Sequence, residues 1–163
     1  LTCNLIRTLK ALQPLKTISD PVAPWEIVEY NPEHTEKLRH IYLDSRRSAF
    51  PWLDLASLKP EDFDEVIQEE EVLVALHGRS PIGFIAWWPP DNFIHSLFID
   101  PEFTGKGVGR LLLETCLQRT GRPATLKCFK ANQNALGFYE SQNWRIFSEG
   151  ESAEGDYFLL SIT

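Results

Sequence analysis

The residues with the most chemically suggestive spacing are the glycines of Thr104-Gly105-Lys106-Gly107-Val108-Gly109-Arg110. An apolar run, Phe93 to Ile99, leads to them through Asp100-Pro101, and a helical pattern follows. Strand, glycine loop and helix start together make an anion cradle. Glycine lets the backbone come close, and the first helical N–H groups have no intrahelical partner and point at the ligand. Lys106 and Arg110 add positive charge. Two phosphate-binding patterns fail here. A P-loop needs GxxxxGK[ST], but Gly105-Lys106 is followed by Gly107. A dinucleotide fingerprint needs GxGxxG and an acid at the end of the next strand; the spacing is GxGxG, and that strand ends in Lys127-Cys128-Phe129-Lys130.

The cradle must be held by its neighbours in the chain. Trp25 to Tyr30 reads as a strand, and Asn31-Pro32-Glu33 starts a helix with Leu38, Ile41, Tyr42, Ser45 and Ala49 on one face. A second helix start lies at Ser57 to Pro60, with Phe63, Val66 and Ile67 apolar. Glu71–His77, Pro81–Trp88 and Phe93–Asp100 are strands joined by short turns, hence an antiparallel meander. The helix after the glycine loop turns Val108, Leu111, Leu112, Thr115 and Cys116 inward and stops at Gly121-Arg122-Pro123. Ala124 to Lys130 is then a strand parallel to Phe93–Asp100. A helix over Asn132–Gln142 and strands over Trp144–Glu149 and Tyr157–Ile162 complete the chain. The expected fold is α/β: a mixed sheet in the order β-α-α-β-β-β-α-β-α-β-β, with helices on both faces. Residues 25–163 form its domain. Residues 1–24 form an extension with Leu5, Ile6, Leu9 and Leu12 at helical spacing, then a proline-rich linker.

Composition sets outer bounds. The 163 residues are 43% hydrophobic and 24% charged, as in one soluble domain. A net charge of −7 argues against nucleic acid as partner, because the bulk field repels phosphate. Cys3, Cys116 and Cys128 show no CxxC spacing, and the four histidines are scattered, so neither a disulfide framework nor a metal site is expected. No apolar run approaches the ~18 residues of a membrane span, and the start has no signal-peptide pattern. A cytoplasmic protein without a membrane partner is the expectation.

Two motifs carry a family resemblance. Thr104-Gly105-Lys106-Gly107-Val108-Gly109 resembles the [Arg/Gln]-x-x-Gly-x-[Gly/Ala] pattern of the GCN5-related N-acetyltransferase (GNAT) superfamily, with Thr104 in the usual Arg/Gln position. Downstream, Asn132-Gln133-Asn134-Ala135-Leu136-Gly137-Phe138-Tyr139 resembles the family's Asn-x-x-Ala-x-x-Phe-Tyr helix, and Asn143-Trp144 stands for its usual glycine-aromatic pair. The resemblance spans roughly residues 25–163. It implies an acetyl-CoA-dependent acyltransferase that moves an acetyl group to a primary amine of a small molecule or peptide by direct attack. A coenzyme-A-binding module without catalysis is the alternative.

The resemblance also implies a site. Leu97, Phe98 and Ile99 would meet the pantetheine in a splay against Lys127–Phe129. Thr104, Gly105, Lys106, Gly107, Val108, Gly109 and Arg110 would hold the pyrophosphate, with Asn132 and Phe138 as further coenzyme contacts. Tyr139 takes the place of the family's general acid. His95, two residues before Leu97, is the candidate base, since an ordinary imidazole titrates near pH 6.5; Asp91 and Glu149 are its substitutes. Phe50, Trp52, Trp87 and Trp88 would wall the acceptor site, with Asp54 or Asp91 drawing a cationic amine. A homodimer through residues 1–24 is a further possibility of the chain.

Overall fold

The computed structural model of the protein describes residues 24–163. The amphipathic pattern at Leu5–Leu12, and the dimer contact assigned to it, lie outside the described residues. The elements are β1 (Glu26–Glu29), α1 (Thr35–Ala49), α2 (Asp62–Val66), β2 (Glu71–His77), β3 (Ser80–Trp88), β4 (Phe93–Ile99), α3 (Val108–Thr120), β5 (Ala124–Phe129), α4 (Gln133–Ser141), β6 (Arg145–Gly150) and β7 (Tyr157–Ile162). Their order is the expected one. The seven strands form one sheet in the order β1-β2-β3-β4-β5-β7-β6. Every pairing is antiparallel except β4 with β5, which the α3 crossover makes parallel.

The helices sit where their apolar faces send them. Asn31 accepts from the Glu33 N–H at 2.9 Å, and Pro32 opens the single turn that leads into α1. Leu38, Ile41 and Tyr42 of α1 then pack with Phe63 of α2 on Val74, Phe84 and Ala86. On the other face Leu112, Leu113 and Cys116 of α3 pack with Ile85, Trp87, Ile94, Leu126 and Leu160. β3 is buried on both faces, which is why it reads as a continuous apolar run. Two details differ from the sequence reading. Leu113, not Leu111 or Thr115, completes the buried face of α3, because the helix is seated slightly rotated on the sheet. α2 begins at Asp62, past Ser57–Pro60, where the Lys59 N–H is held by the Asp62 carboxylate at 2.9 Å. Among the described residues no helix is long and apolar enough to cross a membrane.

Two irregularities of β4 create the site. Ala86 pairs with Ser96 but Trp87 pairs with Ile94, so His95 is an extra residue without a partner on β3. This bulge sends Ile94 and Ser96 to opposite faces, where a regular strand would put them on one. The second irregularity lies on the other edge. β4 and β5 share only two registered pairs, Phe93 with Thr125 and Ile94 with Leu126. Beyond them the strands part, and the β4 backbone facing β5 has no ladder partner from His95 onward.

Candidate active site

The parted strands open a cleft of about 1370 Å³ that runs from the glycine loop to the segment after α1. Leu97, Phe98 and Ile99 line it from β4, and Lys127, Cys128 and Phe129 from β5, as the sequence led one to expect. At the loop end, Gly107 has φ +88° and directly precedes α3. A Cβ there would meet nothing within 4 Å, so the backbone angle is what calls for glycine. No side chain caps α3, which leaves its first N–H groups to a ligand. Thr104, Gly105, Gly109 and Arg110 also line the cleft. The Thr104 hydroxyl is spent on the turn itself, donating to the Pro101 carbonyl at 3.1 Å. Arg110 is exposed and bonds Glu114 at 2.8 Å, a pairing weak enough for an anion to displace.

Two members of the loop stand apart from the cleft lining. The Val108 side chain is buried in the core, so only its backbone faces the loop. Lys106 lies with its ammonium 5.1 Å from the centre of the Phe103 ring.

Helix α4 closes the same end. Asn132 is its N-cap, accepting from the Ala135 N–H at 3.2 Å, while it also lines the cleft. Phe138 packs over Gly109 and Ile99. The helix ends with the Trp144 N–H on the Tyr139 carbonyl and the Asn143 N–H on the Glu140 carbonyl, both at 3.0 Å. This double closure requires a left-handed residue, and Asn143 supplies it with φ +67°. The turn brings the Trp144 ring within 5.9 Å of Tyr139 and fixes that side chain. Tyr139 is 9% exposed and faces the cleft. Burial, assisted by Cys128, raises its phenol pKa. Burial likewise pushes the Cys128 thiol up to about 11.

At the far end His95 is half exposed in the cleft, and its Nδ1 lies 2.8 Å from Glu70 Oε1. The Glu70 side chain is only 8% exposed. Its other oxygen, Oε2, is buried without a hydrogen-bond partner. Burial raises the Glu70 carboxyl pKa, and His95 opposes that rise. Sequence reasoning missed Glu70, because within Gln68-Glu69-Glu70-Glu71 it reads as one of several solvated acids.

Phe50 and Trp52 do wall this end, meeting Phe129 edge-on at 5.5 and 6.1 Å. The Trp52 indole donates to the Glu154 carbonyl at 3.2 Å and ties the segment after α1 to the β6–β7 turn. Arg46 reaches the Glu154 carboxylate at 3.7 Å and lies over the Tyr42 and Phe50 rings. Trp88 is not part of the wall. It pairs with Phe93 at the start of β4, and although Phe93 lines the cleft Trp88 does not. Trp87 is core. Asp54 accepts from the Ala56 N–H, Asp91 sits in the Pro89–Asp91 turn, and Glu149 bonds Lys130 at 2.6 Å; none of them lines the cleft.

Residues 35–144, from the start of α1 to Trp144, match the acetyltransferase (GNAT) family. The chain belongs to that family. Among curated GNAT relatives it is 31% identical over 99 residues to the peptidyl-lysine N-acetyltransferase YjaB of Escherichia coli, covering 59% of this chain and 65% of the relative. It is 41% identical over 97 residues to an uncharacterized N-acetyltransferase of Archaeoglobus fulgidus, covering 52% and 66%. The matches thus span just under two thirds of each relative's length. Similar folds include apo YjaB from Escherichia coli (TM-score 0.68, 24% identity, 84% of this chain and 96% of that one). Another is the PaiA N-acetyltransferase of Thermoplasma acidophilum in complex with coenzyme A (TM-score 0.70, 19% identity, 85% and 99%).

Proposed function

We propose that this GNAT protein is an N-acetyltransferase that moves an acetyl group from acetyl-CoA to a primary amine by direct attack. The observation that carries the proposal is the parting of β4 and β5 beyond Ile94 and Leu126, with a glycine loop at one end of the gap and His95 at the other. The residues present fit the coenzyme. Leu97, Ile99 and Phe138 offer an apolar channel beside an unpaired strand edge, and the uncapped start of α3 suits a pyrophosphate. The bound coenzyme supplies an activated acetyl thioester.

The protein's own groups do the rest. Backbone N–H groups on the free edge of β4 are placed to donate to a carbonyl oxygen in the gap. His95, with Nδ1 turned to Glu70, has Nε2 left to take a proton from the amine. Tyr139 lines the gap from α4, and because burial keeps its phenol protonated its hydroxyl is there to donate a hydrogen bond to the departing sulfur. Cys128 also faces the cleft, but as a thiol pushed up to about 11 it is a poor nucleophile at neutral pH. That supports direct attack over transfer through cysteine. The lysine side chain named in the YjaB relative is one such primary amine.

The test is to incubate the protein with acetyl-CoA and a panel of primary amines, including lysine peptides, while following free thiol release. Turnover above the hydrolysis blank is expected. Stabilisation by coenzyme A without turnover on any amine would favour the non-catalytic binding module, and no stabilisation at all would overturn both readings.

A further inference from the structure

We infer that Glu70 relays the proton taken up by His95 out of the cleft, to solvent in a second cavity at the β1–β2 side of the sheet. The inference rests on the proposed transfer reaction. Glu69 has φ +65°, a left-handed turn that ends the α2 segment and throws Glu70 back beneath the β4 bulge. There Glu70 lines both the main cleft and a separate cavity of about 530 Å³ formed by Glu29, Tyr30, Ile67, Glu71, Trp87 and Arg119. One oxygen meets His95 at 2.8 Å; the other is buried and unpartnered.

A carboxylate that served only to orient an imidazole would be expected to have both oxygens satisfied, because a buried unpaired charge is costly. The Glu70 Oε2 atom is enclosed by protein, on a residue that lines both cavities. A group that is charged for only part of each cycle suits that setting. Burial, which raises its proton affinity, acts in the same direction. Around Glu70 the two cavities place His95 on β4, Glu65 beside it on α2, Glu71 on β2, Tyr30 after β1, and Glu29 paired with Arg119 of α3 at 2.7 Å.

The steps balance as proton transfers only. The ammonium N–H bond of the acceptor breaks, its electron pair stays on nitrogen, and the proton bonds to His95 Nε2. The Nδ1–H bond then breaks toward Glu70 Oε1, leaving a carboxylic acid and a neutral imidazole that carries its proton on Nε2; exchange with solvent at the half-exposed ring returns that proton to Nδ1 before the next turnover. The carboxyl turns about its last torsion and releases the proton to water in the second cavity, which restores the carboxylate.

Glu70→Gln tests this, because the amide keeps an acceptor for Nδ1–H and the same shape but carries no proton. With acetyl-CoA and the best amine of the panel, kcat is expected to fall by at least about 10-fold, while coenzyme A stabilises the variant as it does the wild type. The pH profile of kcat/KM should change as well, since the variant has lost the carboxyl that titrates with its imidazole partner. Wild-type kcat and an unmoved profile in the folded variant would overturn the relay and leave the transfer reaction standing. No turnover by the wild-type protein on any amine would overturn both. If Glu70→Gln does not fold, Glu70→Asp withdraws the carboxyl from His95 by one methylene: a drop in kcat with unchanged coenzyme binding supports the relay, and an unchanged kcat overturns it.

Discussion

Tyr139 and Gly107 are where single side chains bear most directly on the chemistry. Tyr139→Phe removes one hydroxyl from a position packed by Trp144, so the fold and the coenzyme site stay intact. We expect kcat to fall on the order of 10²-fold with the acetyl-CoA dissociation constant nearly unchanged; an equal loss in both, by steady-state kinetics and titration, would mean the residue only packs. Gly107→Glu does the opposite. It forces a side chain onto a φ of +88°, at a cost of about 1–2 kcal/mol, and puts negative charge at the start of α3. A folded variant that no longer binds coenzyme A by calorimetry is the expected result, and wild-type affinity would refute the loop's role. Both residues could be singled out from the chain because their motifs are local: a loop of seven residues and a helix of nine. Glu70 could not, because its partner His95 lies far along the chain on β4 and nothing near it in sequence marks it.

At the scale of elements, regular structure was the readable part and irregular structure was not. The order of elements along the chain, the crossover and the place of the splay follow from periodicity and from the family resemblance. The bulge at His95 does not, because an extra residue in one strand shows only against the register of its partner. Trp88 was misplaced for the same kind of reason: its partner Phe93 lines the cleft while Trp88 does not, and that pairing shows only in the register of β3 on β4. The end of α4 gives a direct test of local backbone logic. Asn143 holds a left-handed turn that glycine fits best and β-branched residues fit worst. Asn143→Gly should match or exceed the wild type in urea midpoint, while Asn143→Val should lose about 1–2 kcal/mol and slow turnover by loosening Tyr139.

Over the whole molecule, the buried thiols set a direction for stability against pH. Burial pushes Cys116 up to about 12 and Cys128 up to about 11, and Tyr139 is raised as well. In the unfolded chain the thiols ionise near pH 9, so above that value the unfolded state binds fewer protons than the folded one. Stability is therefore undiminished below pH 9 and falls as pH rises from 9 toward 11, by roughly 1 kcal/mol per thiol over the first unit. Urea midpoints at pH 8 and pH 10 should show the fall, and Cys128→Ala should show a smaller one. An increase in stability with pH over that range would contradict the burial of both thiols.

The forked sheet has one more consequence. From His95 to Ile99 on one side and Lys127 to Phe129 on the other, the two central strands forgo the ladder bonds that would join them, each of which is ordinarily worth about 1 kcal/mol. A coenzyme lying in the fork with its amides along β4 would act as a short surrogate strand, completing a sheet that the polypeptide leaves unfinished. Folding and substrate capture would then share the same hydrogen bonds, and the empty protein would be weakest at its own centre.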